Sequence, residues 1–340
     1  MTLRVAPFEG SPAEWNALLA GAPAATHCHR HQWLGVIGET FGHQTFAWGA
    51  WDPAGALVGV LPLVRVRTPL FGHYLVSMPF LNAGGPLGST DAVKALAVEA
   101  SRLAAAERPR LLELRSRDQL PIGLRVSHRK ITVILDLPAT GADLSRQLPS
   151  KLRSQVRRPQ KEGVEARFGS DLVGDFYRVF AVHMRDLGTP VLPKRFFELA
   201  GQRFGDDAWF GCCYLAGEPI ACGAGFRFRD SFELTWASSL RRFNRLAPNM
   251  FLYWAFLERA VEHGIHEFDF GRCTPGGGTH RFKQQWGGRD VQLWWYQDGQ
   301  DAATPAPDQG VVMALATKVW SRLPVRLTTA LGPGIVRGIP

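Results

Sequence analysis

A short alternating strand, a triple glycine and three cations share one stretch of this 340-residue sequence, His266 to Trp286, HEFDFGRCTPGGGTHRFKQQW. His266, Phe268 and Phe270 alternate with Glu267 and Asp269, the period of two that gives a strand two distinguishable faces. Gly271 is expected to end that strand. Gly276, Gly277 and Gly278 follow, and without side chains their backbone N–H groups can approach a ligand closely. Arg272, Arg281 and Lys283 add positive charge, and Trp286 closes the stretch. An anionic ligand, or a negative charge that develops during reaction, suits this layout, which is that of a small-molecule transfer site.

Elements on both sides must position that stretch. Helices are expected near Ala13 to Ala20 and Gln32 to Thr40, then a hairpin of Thr45 to Trp51 and Leu57 to Val66 turning at Asp52 to Gly55. A helix over Asp91 to Glu107 follows, and Leu111 to Arg115 with Ile131 to Leu137 should complete a first sheet. From Thr140 to Gly163 the pattern is helical and basic, with Pro159 expected to kink or end the helix early. Helices at Leu172 to Leu187 and Lys194 to Phe204, a hairpin of Ala208 to Ala216 with Pro219 to Arg229, and a strand at Phe232 to Ser238 repeat the plan of the first half. Pro248 suits the first turn of an apolar helix ending at Gly264. Ala247, in its cap position, would leave the first N–H groups for an anion, or for water or a loop.

Length favours two domains, since one core rarely serves more than about 250–300 residues. Hydrophobic residues make up 46% and charged residues 20%, the proportions of a folded globular protein rather than a disordered one. The formal charge of +9 points to an acidic partner. The five cysteines, Cys28, Cys212, Cys213, Cys222 and Cys273, form no pair of zinc-binding spacing. His27, His29 and His31 alternate, but no carboxylate or cysteine set completes a site, and no metal is assigned. The N-terminus lacks a charged leader with an apolar block, so a cytoplasmic protein is expected, with peripheral contact with the inner membrane left open.

The segments SKLRSQVRRPQKEGVEARF, RDLGTPVLPKRFF and FDFGRCTPGGGTHRFKQQWGG resemble the FemAB-type acyltransferases, in particular the branch associated with exosortase and PEP-CTERM exopolysaccharide systems. Nearly the whole chain takes part, and the order and spacing of DFGR and FKQQWG are its most specific elements. The resemblance implies an α/β (α+β) protein of tandem GNAT-like domains, each a mixed, mainly antiparallel sheet flanked by helices. The expected division is an N-terminal domain over 1–138, a C-terminal domain with the acyl-transfer motifs over 139–300, and a basic amphipathic tail over 301–340. Members of the wider family transfer an amino acid from aminoacyl-tRNA to an amino group of a peptidoglycan precursor, while related GNAT proteins use acyl-CoA. Lys283 matches the family lysine linked to donor binding and to stabilisation of the tetrahedral intermediate. The helical-hairpin arm of the tRNA-dependent members has no counterpart here, so the donor, aminoacyl-tRNA or acyl-CoA, stays open. No tightly bound cofactor is expected; the donor is a co-substrate.

Acyl transfer to an amine needs an activated donor, removal of a proton and stabilisation of an oxyanion. No serine or cysteine has a partner that would make it a nucleophile, which favours direct attack by the acceptor amine. Asp269 and His280 are candidates for proton handling, or a structural aspartate paired with Arg272 and a solvated histidine. Asp186 could orient the amine or cap the turn before Pro190. Arg272 and Arg281 could hold a phosphate. Lys151, Arg153 and Arg157 form a basic helix face suited to a diphosphate or lipid headgroup, or merely solvated. The acceptor is expected to be an anionic small molecule or lipid-linked saccharide from peptidoglycan or exopolysaccharide synthesis, and DNA is not expected. The alternatives are an acyl-CoA-dependent acetyltransferase acting on a small molecule or sugar, and a non-enzymatic basic adaptor. The tail from Val311 to Pro340 has basic and apolar residues and no acid, so it could lie on an anionic membrane face or pack over a domain.

Overall fold

The computed structural model of the protein describes residues 3–69, 71–303 and 311–339. These form two compact units, one of residues 1–130, 292–308 and 337–340, the other of 131–291 and 309–336.

In the first unit the chain runs β1 (Arg4–Pro7), α1 (Pro12–Gly21), α2 (Gln32–Phe41), β2 (Gln44–Trp51), β3 (Leu57–Thr68), β4 (Gly72–Val76), β5 (Leu87–Gly88), α3 (Thr90–Glu107), β6 (Leu111–Ser116) and β7 (Arg125–Ser127). Local chemistry sets these boundaries. Ser11 caps α1 by accepting the Glu14 N–H at 3.2 Å, with Pro12 in the first turn. The β2–β3 turn is fixed by Asp52, whose Oδ1 accepts the N–H groups of Ala54 and Ala56, both at 2.9 Å. The sheet core joins Leu61, Leu63, Leu75, Leu112 and Leu114 to Ala92 and Leu96 of α3.

The second unit contains β8 (Ile131–Asp136), α4 (Gly141–Gln147), α5 (Ser150–Lys161), β9 (Glu165–Phe168), α6 (Val173–Asp186), α7 (Lys194–Phe204), β10 (Ala208–Leu215), β11 (Glu218–Phe228), β12 (Ser231–Ser239), α8 (Pro248–Glu262), β13 (Glu267–Cys273), α9 (Gly278–Gln284) and β14 (Arg289–Gln292). The sheet order is β14-β8-β13-β12-β11-β10-β9. Helix α8 is apolar on most sides because it lies in the core, with Phe256 and Leu257 in one cluster with Phe232, Leu234 and Phe268. Next come β15 (Trp294–Asp298), in the first unit's sheet between β6 and β7, and α10 (Val311–Trp320) and α11 (Val325–Val336) of the second unit.

The expected repeat of plan is present. Helices, hairpin, strand, helix and strand recur as α1, α2, β2–β3, β4, α3, β6 and as α6, α7, β10–β11, β12, α8, β13. In each copy the strands flanking the crossover helix pair in parallel, β4 with β6 and β12 with β13, inside an otherwise mainly antiparallel sheet.

Four expectations are corrected. Ile131–Asp136 does not complete the first sheet but pairs antiparallel with β13, while Trp294–Asp298 crosses back to β6. The units therefore depart from divisions at 138 and 300, because strand pairing between distant segments overrides chain order. Residues 304–310 and 340 of the expected tail lie outside the described residues. The basic helical stretch breaks at Leu148 and Pro149, not at Pro159, which lies inside α5 two residues before its end at Lys161. Gly271 does not end β13; the strand continues to Cys273 through a register shift between Asp269 and Arg272.

All five cysteines are buried and unbridged. Among the described residues no helix is long and apolar enough to cross a membrane.

His29 gives the first unit an acid-sensitive point. Its Nδ1 accepts the Thr26 N–H at 3.1 Å inside a buried turn, and burial pushes its pKa down to about 4. On acidification the unfolded chain binds this proton first, near pH 6.5, so stability falls as pH drops from 6.5 towards about 4. The full loss is about 3 kcal/mol at the 1.36 kcal/mol carried by each pKa unit. Urea unfolding of His29→Gln should depend less on pH over this window than the wild type; equal slopes would remove His29 as the cause.

Candidate active site

The parallel pair of the second unit creates the site. Strands β12 and β13 pair at Ser231–Glu267, Phe232–Phe268 and Glu233–Asp269, and there the ladder between them stops. Both strands run on, β12 to Ser239 and β13 to Cys273. The pairing therefore stops short of the carboxyl ends of both strands, the end of a parallel pair at which open α/β sheets bind ligands. The first unit closes the corresponding gap with its own chain. There the Ser77 N–H donates to Glu113 O at 2.9 Å, the Gly85 N–H to Arg115 O at 2.6 Å, and the Arg115 N–H to Ser77 Oγ at 2.7 Å.

Just beyond that last pair, β13 bulges. Gly271 adopts φ +74, which only a residue without Cβ takes at little cost. Asp269 holds the bulge: buried, its Oδ1 accepts the Gly271 N–H at 2.7 Å and the Thr132 hydroxyl. The bulge turns two carbonyls towards Lys283 on α9, whose Nζ donates to Gly271 O at 2.5 Å and Arg272 O at 3.0 Å. Lys283 is 3% exposed, and burial lowers its pKa from the usual lysine value, opposed by Cys273, Asp269 and Glu233. An ammonium has three donors, and among the described residues the third has no partner.

The glycine loop is largely committed to holding itself. The Gly276 N–H, at φ +74, donates to His280 Nδ1 at 2.9 Å, and the Gly277 N–H to Thr274 O at 3.1 Å. Gly278 starts α9. His280 is buried, with Nε2 2.9 Å from both Asp290 oxygens. Its Nδ1 accepts the Gly276 N–H, which leaves Nε2 to donate to Asp290, and the ring braces the loop between them. Arg281 is exposed and donates to Gly276 O at 3.0 Å. Arg272 is exposed at the bulge. Trp286 is buried against Tyr253 and Phe270, its indole N–H without an acceptor among the described residues.

Asp186 belongs to a separate cluster at the end of α6. Arg185 Nε donates to it at 2.6 Å, Arg241 Nε lies 3.9 Å away, and neighbouring His183 contacts Ser239 O at the end of β12. Ala247 occupies the α8 cap position in left-handed conformation with no side-chain cap, as its residue type requires. On α5, Arg153 and Arg157 line a cavity of about 300 Å³ with Trp254 and Glu258, while Lys151 is exposed. The structure thus gathers Lys283, Asp269 and Arg272 at the bulge and His280, Arg281 and the glycines in the adjoining loop. Asp290, Thr132 and Arg241 were missed. Asp290 and Thr132 sit on other strands, and no local spacing signals a carboxylate ten residues from its histidine or a hydroxyl from β8.

Residues 149–284 match the family model described as Acetyltransferase (GNAT) domain. Comparison with the curated proteins finds no match. Among solved structures, FemX is similar with a TM-score of 0.67 at 14% identity, over 88% of this chain and 98% of that one. L-PGS from Bacillus licheniformis is similar with 0.58 at 13% identity, over 92% and 98%. A tandem GNAT protein from the clavulanic acid biosynthesis pathway follows with 0.50 at 13% identity, over 89% and 100%. At such identities the likeness is one of fold. The chain therefore has the fold of the tandem GNAT proteins, and the segment that matches the GNAT acetyltransferase model lies within its second unit.

Proposed function

We propose that this protein is an N-acyltransferase of FemAB type, moving an aminoacyl or acyl group onto an amino group of a cell-envelope precursor, in peptidoglycan or exopolysaccharide synthesis. The observation that carries the reading is the open parallel pair of the second unit with a buried ammonium at its bulge, one of whose donors has no partner among the described residues. The acceptor nitrogen attacks the donor carbonyl, the carbonyl π electrons move onto oxygen, and the tetrahedral intermediate collapses with loss of the donor's oxygen or sulfur. The proton of the amine leaves with that group or to solvent. Lys283 stabilises the developing negative charge, and the bulge held by Asp269 fixes where its ammonium stands. His280 holds the glycine loop that leads into α9, the helix that carries Lys283, and Trp286 packs just after it. Arg272 and Arg281, both exposed near the loop, offer charge to a phosphate of the donor or acceptor, and the basic face of α5 a second place for one.

The donor is aminoacyl-tRNA or acyl-CoA, and the envelope assignment rests on resemblance to the FemAB proteins and on the fold shared with FemX and L-PGS. Titration of the purified protein with acetyl-CoA and with charged tRNA, followed by mass analysis of envelope precursors from cells with and without it, tests both parts. A saturable donor and a precursor mass increment that disappears with the protein are expected. Binding of neither donor, with precursor masses unchanged, overturns the proposal.

A further inference from the structure

Large apolar side chains are exposed in one region of the second unit. Leu187 at the end of α6 is 48% exposed, Leu315 and Val319 on α10 are 60% and 52%, and Leu327 and Leu331 on α11 are 42% and 49%. Helix α11 is inverted relative to an ordinary packing helix. Its inward residues are small, Thr328 and Gly332, both buried, and a Cβ at Gly332 would stand only 2.9 Å from the Val191 backbone nitrogen. Its outward stripe is Leu327, Ala330, Leu331 and Gly334, at spacings of three and four that share one face. On α10 Leu315 and Val319 are exposed beside Lys318, and Arg322 follows, exposed, in the turn after the helix.

The two helices are anchored. Arg185 Nη1 donates to Leu323 O in the turn between them at 3.1 Å, and Gly188, next to Leu187, approaches Thr317 so closely that a Cβ would lie 2.3 Å from its methyl group. Residues 311–339 contain Lys318, Arg322, Arg326 and Arg337 and no acidic residue. An apolar stripe edged only by cations is the signature of a helix lying in the plane of an anionic interface, where apolar groups enter the acyl boundary and cations meet phosphates. A second copy of the chain would set like-charged rows against each other. A nucleic acid would leave the leucines in water.

We propose that α10 and α11, with Leu187, form a docking face for a lipid bilayer surface rich in anionic headgroups. The face lies outside the acyl-transfer site, and its test uses neither donor nor acceptor, so it stands or fails separately from that reading.

The test is co-sedimentation of the full-length protein with vesicles of phosphatidylcholine alone and of phosphatidylcholine mixed with phosphatidylglycerol, at low and high salt. The protein should partition to the mixed vesicles and be released by salt. Lys318→Gln/Arg322→Gln/Arg326→Gln should lower that partition by about 100-fold, each cation near an anionic surface contributing about fivefold. Leu327→Ser/Leu331→Ser should lower it by about tenfold or more, both side chains being solvent-facing and thermal unfolding serving to confirm the fold. No partition to mixed vesicles at low salt overturns the proposal, as does a leucine variant that binds like the wild type. Concentration-dependent self-association lost in the leucine variant, without vesicle binding, assigns the face to a second copy instead.

Discussion

Replacing Lys283 by alanine is expected to lower turnover by about 100-fold or more, the usual cost of removing one donor to a developing oxyanion. The residue is 3% exposed and holds two backbone carbonyls, so some stability is also lost. Leaving Gly271 O and Arg272 O without a donor costs about 1–3 kcal/mol for each buried group. Part of that is offset because an ammonium no longer has to be desolvated. Lys283→Met keeps the length of the side chain and separates the two effects. Near-normal turnover in a folded Met variant would remove the lysine from the mechanism. The lowered pKa adds a pH signature with a definite sign. The folded protein releases this proton before the unfolded chain does, so between the folded value and 10.5 the unfolded state binds more protons and this group's contribution to stability rises with pH. Activity, which needs the charge, should fall over the same alkaline range, and the Met variant should lose the stability gain.

Asp269→Ala should be the most damaging single change at the site for the fold, by about 3–5 kcal/mol, because it leaves a buried polar network unsatisfied. Its Oδ1 is the acceptor for both the Thr132 hydroxyl and the Gly271 N–H, and Gly271 in turn presents its carbonyl to Lys283. Asp269→Asn retains an oxygen in that place. If the aspartate positions the bulge, the Asn variant keeps most of its thermal stability and the wild-type shape of the pH–rate profile. If it takes the proton of the attacking amine, the Asn variant folds normally, turnover collapses and the acidic limb of the profile disappears. Measuring the profile alongside unfolding decides between them. The geometry favours positioning, since Oδ1 is already committed to two donors.

Much of the secondary structure was legible because local signals were strong. Asp52 with Gly55 fixed the first hairpin, Pro248 the start of α8, and the turn at Gly217 and Glu218 between the apolar runs of Ala208 to Ala216 and Pro219 to Arg229 the second hairpin. Gly271 misled because a glycine at positive φ serves a strand end and a bulge equally well, and only the partner strand β8 shows which. The triple glycine suggested a cradle for an anion, yet His280 and Thr274 take two of its N–H groups. A sequence shows that such groups are accessible; it does not show what they already bond.

The amino-acid order by itself determined the repeated plan of elements, the apolar crossover helix, the cationic segment around Lys283 and the acid-free tail, because each depends on neighbours within a few turns of chain. Tertiary structure decided which strands share a sheet, since β8 and β15 each join a partner far away in sequence. It also decided which copy keeps an open parallel pair, through the loop of Ser77 to Gly85 that bonds to β6 in the first unit. Both outcomes rest on hydrogen bonds between distant backbone groups, whose partners are selected by packing of the whole unit rather than by local propensity.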